Sequence, residues 1–370
     1  MRLATFNVEN MFDRAKALNG ANWTEGKPAL EAHKELNGLF EKASYNAADK
    51  KRMFKLMADH GLLKTDEGPM LMIRKIRGSL IKRPRVGEPE IVATGRKSWI
   101  GWVELKTEPV NEVATQNTAR TLHAVKADVQ AVVEAEDRTT LRLFNEQVLT
   151  EVGGKPFDHV MLVDGNDERG IDVGLMTRAK YPIVSIRSHV DDRDAKGVIF
   201  SRDCAEYEVA LPSGKSLWVL VNHFKSKGYG SQATNDAKRK RQAKRVRELY
   251  DRHIAAGNEF VAVVGDLNEI PTNDPISPLI GQGSALKDIS KHPKYDGQSR
   301  AGTHGNCTPS GKLDYILLSP ALYAKVRAAG VERRGMWGGT NGTLWPRFPE
   351  VTSADEAASD HAALWVDLDV

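Results

Sequence analysis

Several strand-length apolar runs in this chain end in a carboxylate, an amide or an imidazole, and that pattern constrains it more than any other feature. Phe260-Val261-Ala262-Val263-Val264 reads as a buried strand and opens into Gly265-Asp266-Leu267-Asn268. Ser359-Asp360-His361 abuts a second such run, Ala362-Ala363-Leu364-Trp365-Val366. Leu217–Val221 leads into Asn222-His223-Phe224-Lys225-Ser226-Lys227, and Val129–Val133 ends in Glu134. The first strand, Leu3–Val8, carries Asn7 and is followed by Glu9, while Asp314 sits within a strand in Lys312-Leu313-Asp314-Tyr315-Ile316. Strand ends and the loops beyond them are where binding and catalytic groups are commonly mounted.

Helical patterns alternate with these strands. Asn111–Lys126 repeats Val113, Ala114, Ala119, Leu122 and Val125 at helix spacing, and helices are also expected at Arg138–Leu149 and Ala237–His253. Further strands are expected at Val160–Val163, Ile171–Met176, Ile183–Ile186, Cys204–Leu211 and Leu313–Leu318, the last two strands of the chain being Leu313–Leu318 and Ala362–Leu368. Fully apolar strands alternating with helices indicate a layered α/β fold. A hydrophobic content of 41% supports a real core, and 28% charged residues indicate a soluble surface. No apolar run approaches the about 20 residues of a membrane span. The N-terminus enters a strand directly and shows no signal-peptide pattern, so a cytoplasmic protein without a membrane partner is expected. Cys204 and Cys307 are too few for a disulfide framework and lack ligand spacing, so they read as incidental thiols.

The charge is uneven. Residues 14–100 hold 18 Lys+Arg against 10 Asp+Glu, so with a total of +4 the remainder of the chain is mildly acidic. Within this stretch a helix is expected at Ala29–Phe40 and another at Ala47–His60, capped by Asn46 and stopped by Gly61. Met70–Val86 reads as extended, with Arg74, Lys75, Arg77, Lys82, Arg83 and Arg85 and no acid. Trp99-Ile100-Gly101-Trp102-Val103 is expected to pack against the body. The region reads as a basic insertion over 14–110 within a single domain spanning 1–370. A basic appendage on an acidic body suits an anionic partner.

Asn7, Glu9, Glu134, His223, Asp266, Asn268, Asp314, Asp360 and His361 thus lie at or beside the ends of apolar strands. Acidic groups there are costly unless charge-paired or metal-bound. Oxygen donors without cysteine favour Mg²⁺ or Mn²⁺ over Zn²⁺. Two histidines in the same set supply acid–base capacity near neutral pH. Taken singly, Gly-Asp-x-Asn is more often a turn after a strand, and Ser-Asp-His reads also as a helix cap or a satisfied core histidine. The ordered set describes metal-assisted hydrolysis of a phosphate ester.

The motifs run in order as Thr5-Phe6-Asn7-Val8-Glu9-Asn10, Asp128-Val129-Gln130-Ala131-Val132-Val133-Glu134, Gly170-Ile171-Asp172-Val173-Gly174-Leu175-Met176, Asn222-His223-Phe224-Lys225-Ser226, Gly265-Asp266-Leu267-Asn268, Leu313-Asp314-Tyr315-Ile316 and Ser359-Asp360-His361. Together they resemble the endonuclease/exonuclease/phosphatase superfamily, which holds DNase I-like nucleases, abasic-site endonucleases, inositol-polyphosphate phosphatases and sphingomyelinases. The resemblance covers 1–13 and 111–370. It implies a DNase I-like four-layer sandwich, two packed mixed β-sheets flanked by helices.

The resemblance also implies roles. Glu134 would be the main Mg²⁺ (or Mn²⁺) ligand, with Glu9 and Asp360 close by. Asp266 would orient or deprotonate the attacking water. Asn268 and Asn7 would hold the scissile phosphate, with Lys225, Asp172 and Arg202 as further phosphate-side groups. Asp314 would pair with His361, and His223 would be a second phosphate contact or the acid for the leaving oxygen. One departure is that Pro182–Glu206 lacks the tyrosine many nucleases of this group place after the third motif; His189 or Arg202 stands in that neighbourhood.

The expected activity is a nuclease cutting DNA or RNA with low sequence specificity. The alternative is hydrolysis of a small phosphorylated metabolite or inositol phosphate by the same residues. Nucleic acid is favoured by the insertion, through Arg74 and Arg77, and by Lys238–Arg247. That run has seven basic residues in ten, among them Arg239, Arg241 and Arg245. Trp99, Trp102, Trp337 and Trp345 read as core residues or, less simply, as base-stacking groups. The sequence gives no oligomeric state.

Overall fold

The computed structural model describes every residue except 10, 12, 19–22, 168 and 229, and only the backbone of 13, 14, 18 and 23. Asn10 of the first motif therefore lies outside the described residues. The chain divides into two compact units, Met1–Phe12 with Val110–Val370, and Asp13–Pro109.

The larger unit contains two mixed sheets. In the seven-stranded sheet the order is Tyr295–Asp296, Val326–Glu332, Ala363–Leu368, Arg2–Asn7, Val129–Ala135, Asp172–Thr177 and His159–Val163. In the six-stranded sheet it is Ile183–Arg187, Cys204–Ala210, Ser216–His223, Val261–Asp266, Asp314–Leu318 and Lys287–Asp288. The central strands are largely apolar because they feed two cores with alternate residues. Val129, Ala131 and Val133 join Ala262, Val264, Ile316 and Leu318 in one cluster that draws on both sheets. Val132 and Ala135 pack in another cluster with Ala119, Leu122 and Val125 of the helix Glu112–Val125. Val261, Val263, Tyr315 and Leu317 pack with Ala243, Val246, Leu249 and Tyr250 of the helix Gln232–Ala255. The result is the four-layer helix–sheet–sheet–helix architecture of the DNase I-like fold.

Strand direction decides where the polar tips meet. Arg2–Asn7 runs parallel to Val129–Ala135, with Asn7 beside Val133. Ser216–His223 runs parallel to Val261–Asp266, with His223 beside Asp266. Asp314–Leu318 is antiparallel and starts opposite Asp266, just as Asp172–Thr177 starts opposite Ala135. Ala363–Leu368 is antiparallel to the first strand, so Ser359-Asp360-His361 precedes it at the same end. In each sheet, the C-terminal ends of the parallel strands and the N-terminal ends of their antiparallel neighbours lie on one edge.

The strand Val326–Glu332 is absent from the sequence reading, as are the short strands Lys287–Asp288 and Tyr295–Asp296. Val326–Glu332 carries Ala328, Ala329 and Gly330, a run with little strand character of its own. Gly330 lies opposite Trp365, and a Cβ there would come within 2.8 Å of the indole, so the register demands the glycine that weakens the signal.

The smaller unit has its own core. The helix Trp23–Phe40 contributes Leu30, Leu36 and Phe40, and the helix Ala47–Asp59 contributes Met53 and Met57. Asn46 and Asp49 cap the second helix reciprocally, at 2.9 and 3.1 Å. Trp99 and Val103, in the run expected to pack against the body, lie in the core of the smaller unit itself. The run belongs to the strand Trp99–Leu105, paired with Leu71–Gly78, and Trp99 meets the Phe40 ring edge-on at 4.7 Å between centroids. Both cysteines are buried and free. No helix among the described residues is long and apolar enough to cross a membrane.

Candidate active site

Asn7 is the hub of the edge. Its buried amide Nδ2 donates to Glu134 Oε1 at 3.1 Å and to Asp266 Oδ2 at 3.3 Å, so it joins the two sheets. Its Oδ1 accepts the Glu9 amide at 3.0 Å, and Glu9 in turn accepts the Asp360 amide on Oε2 at 2.9 Å. Glu9, Glu134 and Asn268 all adopt positive φ, of 50°, 68° and 50°. Such backbone is unfavourable for side-chain-bearing residues, and here it recurs where three strands break into polar tips.

Asp266 is 2% exposed. It accepts the backbone amide of Asn268 at 2.8 Å and the Asn268 side-chain amide at 3.2 Å. Burial, together with the nearby Asp314 carboxylate, pushes its carboxyl up to about 7. Asp314 accepts His361 Nδ1 at 2.8 Å, which turns Nε2 toward Asp266 Oδ2 at 3.9 Å and Asp360 Oδ1 at 3.6 Å. Burial opposes charge on His361, but Asp314, Asp360 and Asp266 outweigh it and hold the imidazole well above its ordinary range. His223 lies on the other flank, with Nε2 3.5 Å from Glu134 Oε1 and 3.9 Å from Asp266 Oδ2. Burial first, then Arg202 and Arg169, push His223 well below the usual histidine range. One site therefore holds two histidines of opposite protonation preference.

The further phosphate-side residues separate into accessible and buried groups. Arg202 is 1% exposed, donates to the Phe224 carbonyl at 3.1 Å and pairs with Asp167 at 3.1 Å. Asn268 donates to that same carbonyl at 3.1 Å, so Arg202 is tied to the site through the Phe224 backbone. Arg169 closes a two-pronged pair on Asp167, and the two guanidiniums overcome burial to hold that carboxyl far below its ordinary range. Asp172 is also buried and accepts the Gly165 amide at 2.8 Å; burial pushes it up to about 7. Lys225 is half-buried, and burial with Arg202 and Arg169 brings its ammonium down to about 8. His189 is committed elsewhere, between Asp192 and Glu206.

The basic helix Gln232–Ala255 differs from its sequence reading. Arg239 is fully buried, paired with Glu269 and Asp236 and bonded to the Lys225 carbonyl at 2.9 Å. Arg241 pairs with Asp194 at 2.6 Å, and Arg245 with Asp192 at 2.7 Å. Arg239 is spent inside the fold and does not face solvent, whereas Arg241 and Arg245 are partly exposed and paired with acids that lie far off in sequence. Arg74 pairs with Glu104 at 2.7 Å, and Arg77 donates to the Lys97 carbonyl at 2.9 Å; both are exposed within the smaller unit. Trp99 and Trp102 belong to that unit, whereas Trp337 and Trp345 belong to the larger one.

One residue escapes sequence reasoning. His304 donates through Nε2 to Asp360 Oδ2 at 3.0 Å, and its ring lies 4.7 Å from that of His361. It stands in Gly302-Thr303-His304-Gly305, away from any apolar run. Its position in a glycine-flanked tetrapeptide shortly before Asp314 is the only sequence signal that marks it.

The chain belongs to the Endonuclease/Exonuclease/phosphatase family, whose model matches residues 111–361. Members of this family are metal-dependent phosphoesterases and include nucleases, phosphatases and phosphodiesterases. Among solved structures the chain is similar to the mannosyl-6-phosphatase Bt3783 of Bacteroides thetaiotaomicron VPI-5482. The two are 18% identical over 70% of this chain and 92% of that one, with a TM-score of 0.51. A second similar structure is an endonuclease/exonuclease/phosphatase family protein from Bacteroides thetaiotaomicron, at 17% identity, 69% and 86% coverage and a TM-score of 0.50. No curated protein matches the chain in sequence.

Proposed function

We propose that this protein is a Mg²⁺- or Mn²⁺-dependent phosphodiesterase that cuts nucleic acid. The observation that carries the hydrolytic reading is the convergence on one edge of Glu134, Asn7 and Asp266, joined by hydrogen bonds, with the hydrogen-bonded pair Asp314–His361, whose Nε2 lies 3.9 Å from Asp266. Glu134, Glu9 and Asp360 would hold the ion. They fit it: the donors are carboxylate oxygens, and Asp314 and Glu134 add to the burial that disfavours charge on Asp266, negative charge that a hard cation would relieve. When bound, the ion neutralises charge on the scissile phosphate and polarises it for attack.

The chain's own residues do the rest. Asp266, poised near neutrality, takes a proton from the attacking water as its oxygen bonds to phosphorus. The Asn268 and Asn7 amides orient the phosphate, and Lys225 adds positive charge. Asp314 keeps His361 charged, with Nε2 toward Asp266 and Asp360. His361 thereby steadies charge on the phosphoryl oxygens or protonates the leaving oxygen as the old phosphorus–oxygen bond breaks. His223, kept neutral, offers hydrogen bonding without added charge. Arg202, bonded to the Phe224 carbonyl, and Asp172, bonded to the Gly165 amide, are the further phosphate-side groups.

Nucleic acid as substrate is supported by the net positive charge of residues 14–100 and by the exposed Arg74 and Arg77. The internal pairing of Arg239, Arg241 and Arg245 favours the second reading, a small phosphorylated metabolite or inositol phosphate. Nicking of supercoiled plasmid in Mg²⁺, with an EDTA control and a panel of small phosphate monoesters alongside, separates the two. The nuclease reading expects metal-dependent nicking that falls steeply with salt, with a log–log slope of about −0.9 per phosphate contact. Monoester turnover insensitive to salt, without nicking, overturns it.

A further inference from the structure

We infer that His304, Asp360 and His361 form a transition-metal site distinct in chemistry from the carboxylate set. Their donor atoms all lie within 4.8 Å of one another. The Nε2 atoms address the two oxygens of one carboxylate, His304 at Oδ2 and His361 at Oδ1, 3.0 and 3.6 Å away. Asp314, by holding Nδ1 of His361, leaves its Nε2 turned to the carboxylate oxygen that His304 does not take. Ligands around tetrahedral zinc, with bonds of about 2.0–2.1 Å, stand about 3.3 Å apart, so small inward shifts suffice.

The framework around these three side chains is already set. Backbone bonds stitch their loops together: Gly305 donates to the Asp360 carbonyl at 2.8 Å, and Ala362 to the Thr303 carbonyl at 2.7 Å. The His304–His361 bridge lies between those two bonds. Asp314 holds Nδ1 of His361 at 2.8 Å, the outer-shell carboxylate arrangement that fixes a metal-ligating imidazole. The side chains of His304 and Asp360 are 39% and 47% exposed, which leaves an entry path and an open coordination position.

Two imidazoles and one carboxylate select a borderline ion such as Zn²⁺ or Co²⁺ over Mg²⁺. Asp360 and His361 are shared with the proposed hydrolytic machinery. Resting on that reading, an ion captured here takes both away, so a transition metal inhibits the Mg²⁺-supported reaction.

Co²⁺ titration of the full chain, with Mg²⁺ in millimolar excess, tests the site by its visible ligand-field absorption. The wild type is expected to saturate with one equivalent and a near-tetrahedral spectrum. His304→Ala and His304→Gln should each weaken Co²⁺ binding by at least about 10–100-fold, the effect of losing even an outer-shell partner. Zn²⁺ should inhibit the wild type at concentrations that leave either variant at its own zinc-free rate. A wild type that binds no Co²⁺, or folded variants that bind it unchanged, overturns the site; equal zinc inhibition of all three overturns its inhibitory role. A protein that binds Co²⁺ through His304 yet hydrolyses no phosphate ester upholds the site and removes the hydrolase reading instead.

Discussion

Two places in the larger unit bury a carboxylate against histidines, and they push it in opposite directions. Glu206 is fully buried between His189 and His253, the latter at 2.5 Å. Burial alone would raise its carboxyl, but a histidine on each oxygen pulls it down to about 2. Asp266 has the same residue types around it and rises to about 7, because burial and then the nearby Asp314 carboxylate outweigh the pull of His361 and the Asn268 amide. One cluster is balanced within itself and reads as structure. The other carries surplus negative charge, the mark of a place built for something that arrives later.

The largest effect expected from breaking this contrast is chemical. Asp266→Asn should lower phosphoester hydrolysis by about 10²–10⁴-fold, the range for losing a general base, while leaving the melting temperature unchanged or raised. Rate assays and thermal unfolding on one preparation check both halves. Glu206→Gln should do the reverse, costing about 3–5 kcal/mol of stability by stranding buried partners, with turnover per folded molecule kept. Denaturant unfolding reads that loss.

The same contrast has a pH signature. Because Glu206 is held near 2 in the fold against an ordinary 4.5, its stabilisation is complete above about pH 4.5 and drains away toward pH 2. Unfolding free energy measured between those values should fall in the wild type and flatten in Glu206→Gln. The smallest effects belong to exposed charges. Arg74→Ala or Arg77→Ala should leave stability within about 0.5 kcal/mol. Each should reduce the salt slope of nucleic-acid binding by about one, measured by anisotropy with a labelled oligonucleotide. Arg239→Ala, by contrast, should destabilise by about 3 kcal/mol by taking the buried partner from Glu269 Oε2 while Lys227 holds only Oε1.

The strand-end residues were legible because burial writes itself as an apolar run, and the polar tip stands out at its end. Order along the chain then carried the fold through the family resemblance, and so did the pairing of Asp314 with His361, which no local spacing reveals. Three things were hidden. Val326–Glu332 owes its place to Trp365 across the register and not to its own composition. His304 gains meaning only through backbone bonds to residues 360–362. The helix with seven basic residues in ten looked like a polyanion contact because its partners Asp192, Asp194 and Glu269 lie far off in sequence.

The central claim is that the carboxylate-rich edge around Asp266 performs phosphoester hydrolysis. Its most direct test is turnover of an activated phosphodiester with and without Mg²⁺, comparing wild type, Asp266→Asn and Glu206→Gln, each verified as folded. The account predicts metal-dependent hydrolysis in the wild type and Glu206→Gln and its loss in Asp266→Asn. Equal turnover in wild type and Asp266→Asn would contradict it.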